Sequence, residues 1–357
     1  MRRELVIRRA ELPPGPVETI YFGGGTPSLL TVEELASFFQ TFTELNYLNA
    51  NPAEMEITLE ANPDDLTEEK LAVLAASPVN RLSIGIQSFD EADLRFMNRA
   101  HSVPEALAAV DRARAFGFRD FSIDLIYGGQ TTSDATWQRN LDIATGLGVN
   151  HISSYALTVE SGTALGHKVA RGKVADTDEE RFARQFAMLI DHLTGAGYEH
   201  YEISNFALPG HRSRHNTGYW TGQAYLGIGP GAHGFDGRAT RRWNVSNNVR
   251  YAKLWPQVRD AADLVNYEEL LFEREVLTLT DRYNEFVMTG LRRAEGLDAA
   301  VIAEQFGPEL AEHFLARTQV GRVADNVEQS TDGQRIRLTR AGLALADGVA
   351  SELFWID

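Results

Sequence analysis

The sequence of 357 residues contains no cysteine. It therefore has no thiolate that could form a disulfide, bind zinc, hold an iron–sulfur cluster or act as a nucleophile. It also has no apolar run long enough to span a membrane, and no apolar segment follows the charged residues at its start, as one does in a signal peptide. These absences exclude a disulfide scaffold and an integral membrane protein, and we expect a cytoplasmic location.

The sequence has fewer positively than negatively charged residues. The chain has 34 Lys and Arg against 50 Asp and Glu, a net charge of −16 with His neutral. A chain with this balance repels nucleic acid as a whole, so we expect no nucleic-acid partner. The length favours two domains, and a hydrophobic content of 43% is that of a globular protein.

The first 265 residues alternate β-branched apolar segments with amphipathic ones. The predicted strands are 17–22, 55–60, 81–86, 121–126 and 151–156. The predicted helices are 32–48, 68–76, 91–98, 104–116, 134–147 and 178–196. Repeated strand–helix units whose strands are apolar throughout indicate a parallel sheet covered by helices, either open or closed into a barrel.

The alternation of strands and helices stops in residues 197–265. These residues are rich in Gly, His, Asn and aromatics and are typical of functional loops. A second domain is predicted over 266–357. Its predicted helices are 267–278, 283–292, 299–306, 308–318 and 339–353, with a short strand at 335–338. This order is that of a winged-helix module, which serves either as a packing or lid domain or, against the net charge, as a DNA-binding one.

Polar groups follow the predicted strands at one edge of the sheet. The first strand runs into Gly23-Gly24-Gly25, and Glu60, Gln87 and Asp124 lie at or near the ends of the next three. The carboxyl edge of a parallel sheet is where ligands bind, and buried carboxylates there need partners. The donors and acceptors suit a ligand with an amine, hydroxyls and a carboxylate, although a glycine-rich turn alone is a weak signal.

Four segments together resemble the radical S-adenosylmethionine (SAM) family of oxygen-independent coproporphyrinogen oxidases and HemW-type heme chaperones. They are Tyr21 to Ser28, Glu60 to Pro63, Gly85 to Phe89 and Asp124 to Gly128. The resemblance covers essentially the whole chain. It implies an incomplete (β/α)6 partial TIM barrel followed by a C-terminal winged-helix-like α+β domain. The SAM-binding residues it implies are Gly24, Gly25, Thr26, Glu60, Gln87, Arg99 and Asp124.

A fifth segment, from His215 to Trp220, matches the His-Asn-x-x-Tyr-Trp signature of the heme chaperones within this family. The resemblance implies heme binding by His215, Asn216, Tyr219 and Trp220 within residues 197–250, with His215 as the iron ligand. From chemistry alone, a His beside aromatics is better explained as a packed loop residue, and it is the resemblance that favours heme binding. The implied partners are heme and heme-accepting respiratory proteins; whether the chain forms a homodimer stays open.

The chain departs from the family in one respect. Members carry a Cys-x-x-x-Cys-x-x-Cys loop after the first strand, whose thiolates hold a [4Fe–4S] cluster, and no residue here can replace it. We expect the family's first strand and that loop to precede Met1, so that the chain is truncated; a natural cluster-free form is the alternative. No radical catalysis is expected from the chain as printed.

Other functions remain open at this point. The principal alternative is an oxygen-independent coproporphyrinogen III oxidase that decarboxylates propionates by radical chemistry. A metal-dependent barrel hydrolase would use His200, His211, His215 and His233, but glycines and a proline around these residues indicate a loop rather than the helix a zinc pair needs. A winged-helix regulator is disfavoured by charge.

Overall fold

The computed structural model describes residues 1–176 and 178–356 and divides the chain into two compact units. We call Thr19–Val32 and Ala53–Ser213 the half-barrel unit. Met1–Glu18, Glu33–Pro52 and Arg214–Asp357 form what we call the C-terminal unit. The predicted domain boundary at residues 265 and 266 stays a prediction.

The strands are β1 Thr19–Phe22, β2 Glu56–Ala61, β3 Arg81–Gln87, β4 Asp120–Tyr127, β5 His151–Ala156, β6 Glu199–Glu202, β7 Asn205–Ala207, β8 His233–Phe235, β9 Thr240–Asn244, β10 Phe272–Val276, β11 Leu297–Asp298, β12 Val327–Gln329 and β13 Arg335–Leu338. The helices are α1 Arg2–Ile7, α2 Val32–Glu44, α3 Glu68–Ala75, α4 Glu91–Phe96, α5 Val103–Ala115, α6 Asp134–Gly146, α7 Ala164–Ala170, α8 Glu179–Gly195, α9 Arg214–Trp220, α10 Asn248–Leu254, α11 Glu268–Leu271, α12 Leu279–Arg292, α13 Ala299–Phe306, α14 Pro308–Arg317, α15 Gly321–Asn326, α16 Arg340–Leu343 and α17 Ala346–Ser351. In the described ranges, none of these helices has the length and apolarity of a membrane span.

The half-barrel unit is built on a sheet of seven described strands in the order β1-β2-β3-β4-β5-β7-β6. The first five are parallel, whereas β7 pairs antiparallel with β5 and with β6. The predicted parallel sheet is therefore confirmed, and it is a curled half-barrel. The β6–β7 hairpin at its far edge was not predicted, because both strands are short and lie in the irregular stretch after residue 197.

Alternation along the strands decides what the two faces of this sheet carry. One face is apolar and fully buried; examples are Ile57 and Leu59 on β2, Leu82 and Ile84 on β3, and Ile123 on β4. The intervening positions carry polar groups, which therefore lie on the inner face of the half-barrel. Candidate ligand-binding side chains share this face because of strand periodicity.

The C-terminal unit contains two small sheets, β10-β9-β8 and β11-β13-β12. In the second sheet, β13 pairs antiparallel with both neighbours, and α12, α13 and α14 precede the β12–β13 hairpin along the chain. This order confirms the predicted winged-helix-like α+β domain.

A buried carboxylate ties α1 into the C-terminal unit. Glu4 is completely buried and accepts hydrogen bonds from Arg8 (2.7 Å), the Asn244 amide (2.6 Å) and the Gly229 N–H (3.0 Å), and from the Tyr251 hydroxyl. A buried charge is tolerated only with such partners. The network fixes α1, β9 and the glycine-rich segment before β8 as one packed block.

Residues 267–278 are not the helix predicted from their charged and apolar residues. Only Glu268–Leu271 is α-helical, and Phe272–Val276 forms β10, paired antiparallel with β9. Glu and Arg favour a helix intrinsically, but an available strand edge supplies backbone partners that local propensity does not count.

Three further predictions needed correction. The predicted helix 32–48 ends at Glu44, because Asn46 takes a left-handed conformation with φ 56°. The predicted helix 339–353 is interrupted between Leu343 and Ala346. Residues 214–220, predicted as loop, form α9, since Pro209 and Gly210 precede this helix instead of lying within it.

Candidate functional site

The glycine loop leaves β1 in a conformation that side chains disfavour. Gly24 and Gly25 have φ values of +74° and +73°, the left-handed region open to glycine at little cost. Thr26 follows, with φ −141° and ψ 81°, and precedes the 3-10 turn Pro27–Leu29. The loop thus exposes backbone N–H groups beside the sheet, a geometry suited to a carboxylate or another acceptor.

Glu60 holds this loop against β2. Its Oε1 accepts a hydrogen bond from the Tyr21 hydroxyl at 2.7 Å, and its Oε2 accepts one from the Gly24 N–H at 3.1 Å. Burial and the negative charge of Glu60 raise the pKa of Tyr21, which stays a neutral donor. Tyr21 was not among the predicted site residues. Its position near the end of the strand before the glycines could have identified it from the sequence.

Gln87 and Arg99 meet at the end of β3. Gln87 has φ +70°, a strained value for a non-glycine residue. The Arg99 guanidinium donates from Nη2 to Asn62 Oδ1 (2.7 Å) and to the Gly85 carbonyl (3.0 Å). A Cβ at Gly85 would lie 3.1 Å from the Gln87 amide nitrogen and 3.4 Å from Arg99 Nη2, so glycine makes this approach possible.

Arg99 is not the solvated helix residue that its neighbours suggest. It follows α4, and its Nε is buried with no partner among the described residues. An unpaired N–H of this kind on a cation is suited to an incoming carboxylate.

Asp124 lies within β4, three residues before the end of this strand, whereas it was predicted at or near the end. Its side chain points into the half-barrel beside Glu60. Burial, followed by the negative charge of Glu60, raises the pKa of Asp124 to about 7, although Arg81, the Ser153 hydroxyl and Arg99 act in the opposite direction. The neighbouring carboxyls of Glu60 and Asp124, of which Asp124 is readily protonated, are suited to bind a cationic or hydroxyl-bearing ligand.

The predicted SAM residues therefore all belong to the half-barrel unit. The glycine cradle, the buried Arg99 Nε and the Glu60–Asp124 pair fit a ligand that carries a carboxylate, an amine and ribose hydroxyls, as SAM does. They do not fit a [4Fe–4S] cluster, because this sequence supplies no thiolate to hold iron.

Replacing Gly24 by alanine, which adds one methyl group, tests the conformation of the glycine loop. Gly24→Ala has no neighbour within 4 Å of the new Cβ, so its cost is the left-handed backbone alone, about 1 kcal/mol of unfolding free energy. Gly146→Ala, which also meets nothing within 4 Å but lies at the end of α6, should not lower stability. Urea unfolding of both variants measures this, and equal stabilities would contradict the assigned loop conformation.

The predicted heme residues lie on α9 in the C-terminal unit. His215 and Tyr219 are one turn apart; Nε2 of His215 lies 3.0 Å from the Tyr219 hydroxyl, and the rings meet edge to face at 4.9 Å. Tyr219 in turn packs edge to face on Tyr225 at 4.7 Å and is 41% exposed. Asn216 is half-buried on the same helix.

Trp220 closes α9. The Arg292 guanidinium lies 5.1 Å above its ring, and the indole Nε1 is buried with no hydrogen-bond partner within the described part of the chain. A tryptophan N–H usually finds a partner when buried, so this one marks a place that an acceptor could fill.

The described residues contain no group of three or more His, Cys, Asp or Glu side chains able to hold a metal ion. His200 and His211 belong to the half-barrel unit, whereas His215 and His233 belong to the C-terminal unit. His200 stacks on Phe206 at 4.2 Å, and His233 on Trp243 at 5.7 Å. The hydrolase alternative thus finds no support in side-chain placement.

Comparison with known proteins identifies the family and the fold. The family model of the radical SAM superfamily matches residues 3–144, and that of the HemN C-terminal domain matches residues 277–345. Coproporphyrinogen III oxidase (HemN) from Escherichia coli, a radical SAM enzyme, superposes with a TM-score of 0.80 at 22% identity, over 99% of this chain and 81% of that one. The fold is therefore that of a radical SAM protein with a HemN-type C-terminal domain.

Relatives found by sequence similarity identify the family within the radical SAM proteins. Heme chaperone HemW of Mycobacterium tuberculosis is 37% identical over 99% of this chain and 85% of its own length. HemW of Lactococcus lactis is 34% identical over 96% and 85%. The bovine mitochondrial radical S-adenosyl methionine domain-containing protein 1 is 32% identical over 94% and 75%. The chain belongs to the HemW family.

Proposed function

We propose that the chain binds heme through α9 and delivers it to heme-accepting respiratory proteins. The name of the HemW relatives supports this, and the observation that carries it for this chain is the His215–Tyr219 pair. Heme is the cargo in this proposal, and SAM is the ligand of the glycine-loop site in the half-barrel unit.

The pair has the chemistry that reversible iron binding needs. A neutral imidazole is a good ligand for heme iron, and in the tautomer whose Nε2 carries the lone pair, the Tyr219 hydroxyl donates to that nitrogen. Tyr219 is exposed enough to turn towards solvent when iron takes that nitrogen. The hydroxyl then competes with iron, which favours release to an acceptor over permanent binding.

The aromatic residues around His215 suit the porphyrin ring and the propionates of heme. Tyr219, Tyr225 and Trp220 give α9 flat apolar surfaces, and Arg292 places a cation at the Trp220 ring. Porphyrin faces pack well on aromatic rings, and propionates pair with guanidinium groups. The coproporphyrinogen oxidase alternative needs a cluster, for which this sequence has no ligands, and no observation here favours it.

Hemin titration followed by transfer tests the proposal. The protein should shift the Soret band of hemin at a stoichiometry of one and then lose heme to an excess of apomyoglobin within the time of the assay. Absence of a Soret shift would refute heme binding. A stable complex that transfers no heme to apomyoglobin would refute delivery and would indicate that the protein stores heme.

A further inference from the structure

A chain of buried polar side chains runs along the inner face of the half-barrel to Asp124. Ser153 is the register partner of Asp124 on the neighbouring strand, and its hydroxyl bonds the carboxyl. Ser122 Oγ lies 3.3 Å from Ser153 Oγ and 2.7 Å from Nδ1 of His151. Nε2 of His151 lies 2.7 Å from the Tyr201 hydroxyl. Four side chains thus connect Asp124 to β6.

His151 is completely buried, and burial holds its pKa well below the ordinary value, so its ring is neutral. In a neutral ring one nitrogen donates and the other accepts. The Ser213 N–H donates to the Tyr201 oxygen at 3.4 Å, which leaves the Tyr201 hydroxyl hydrogen for His151. Nδ1–H then donates to Ser122 and Ser122 to Ser153, whose hydroxyl is a hydrogen-bond partner of both Asp124 and Tyr155. The hydrogen bonds from Tyr201 to Ser153 therefore all point towards the carboxyl.

We propose that Ser153, Ser122, His151 and Tyr201 form a positioning network that orients the Asp124 carboxyl and sets the pH at which it ionises. Because aligned hydrogen bonds polarise one another, the remote members strengthen the bond that Ser153 donates to the carboxylate. The network therefore determines the pH range in which the glycine-loop site offers a second negative charge to a cationic ligand. None of the four residues was singled out for this site by the sequence.

Other groups also face Asp124 and must be held constant in a test. Glu60 on β2 raises the pH at which the carboxyl ionises, whereas Arg81 on β3 and Arg99 after α4 lower it. Tyr21 on β1 and Tyr155 on β5 lie close enough for their charges to interact with it. A variant at the other end of the chain of hydrogen bonds tests the network without replacing any of these side chains.

Tyr201→Phe is that variant, since it removes one oxygen and leaves the ring. Without the hydroxyl, His151 is no longer held in the Nδ1–H form, and Ser122 can turn towards the ring. The carboxyl C=O band of Asp124, identified by infrared difference against Asp124→Asn, reports its protonation as pH is varied. The midpoint should rise by roughly 0.3–0.6 of a pH unit in Tyr201→Phe, and by about one unit in Ser153→Ala, which removes the direct donor.

Tyr198→Phe is the matched control. Its hydroxyl is also buried in the half-barrel unit, but it donates to the Val149 carbonyl outside the network. Its midpoint should equal that of the wild type. Ser122→Ala breaks the same chain nearer Asp124 and replaces Tyr201→Phe if that variant does not fold. A midpoint in Tyr201→Phe or Ser122→Ala equal to that of Tyr198→Phe would overturn the proposal and leave the buried groups a packing role.

Discussion

His215→Ala should lose the Soret shift with hemin, and its affinity for hemin should fall by more than about 100-fold, as expected when an iron ligand is removed. The reason is geometric: His215 lies on α9, and its Nε2 lies 3.0 Å from the Tyr219 hydroxyl. The remaining aromatic surfaces would bind porphyrin only weakly and without a bond to iron. Absorption titration with hemin measures both the spectrum and the affinity.

His233→Ala is the control for this variant. It removes an exposed imidazole from the same unit, one that stacks on Trp243 and lies on β8 instead of α9. Its Soret shift and affinity should match the wild type, and both variants should keep the wild-type circular dichroism. Full hemin binding by His215→Ala, or equal losses in the two variants, would remove His215 as the ligand.

Asp124→Asn should stabilise the protein above neutral pH. The pKa of Asp124 is raised from 3.8 to about 7 in the folded protein, so folding favours the protonated form. The folded state therefore holds the extra proton between these values, and wild-type stability falls as pH rises through that window. A shift of about three units corresponds to an upper limit of about 4 kcal/mol. Asparagine avoids this cost, and we expect a gain of about 2–4 kcal/mol at pH 8 that vanishes near pH 4.

Urea unfolding at a series of pH values checks this prediction, and a second aspartate supplies the contrast. Asp134 is the first residue of α6, and hydrogen bonds from Gln185 and then Arg184 lower its pKa, so its carboxylate contributes stability that is present above the ordinary pKa and lost on acidification. Asp134→Asn should therefore bring no gain at pH 8. If Asp124→Asn were as stable as the wild type at pH 8, Asp124 would not be an ionised and strained group in the folded protein. Such a cost, stored in a site that binds a ligand, is the usual trade between stability and function.

Much of the architecture was contained in local sequence patterns. The strand His151–Ala156 was predicted with the bounds that the structure shows, and α14 begins at the proline where its start was predicted. The order of strands and polar residues also predicted Glu60 and Asp124 at or near the carboxyl ends of parallel strands. The sequence by itself therefore determined the parallel sheet and the lack of cysteine, and it predicted a ligand site at the carboxyl edge of that sheet.

What only the tertiary structure decided are the features that depend on distant partners. Phe272–Val276 became a strand because β9 offered an unpaired edge, and Arg99 became buried because Gly85 and Asn62, remote in sequence, accept its N–H groups. The raised pKa of Asp124 likewise results from burial and from Glu60, 64 positions earlier in the sequence. Propensity and periodicity describe a residue and its near neighbours, whereas pairing, burial and charge are properties of the folded surroundings.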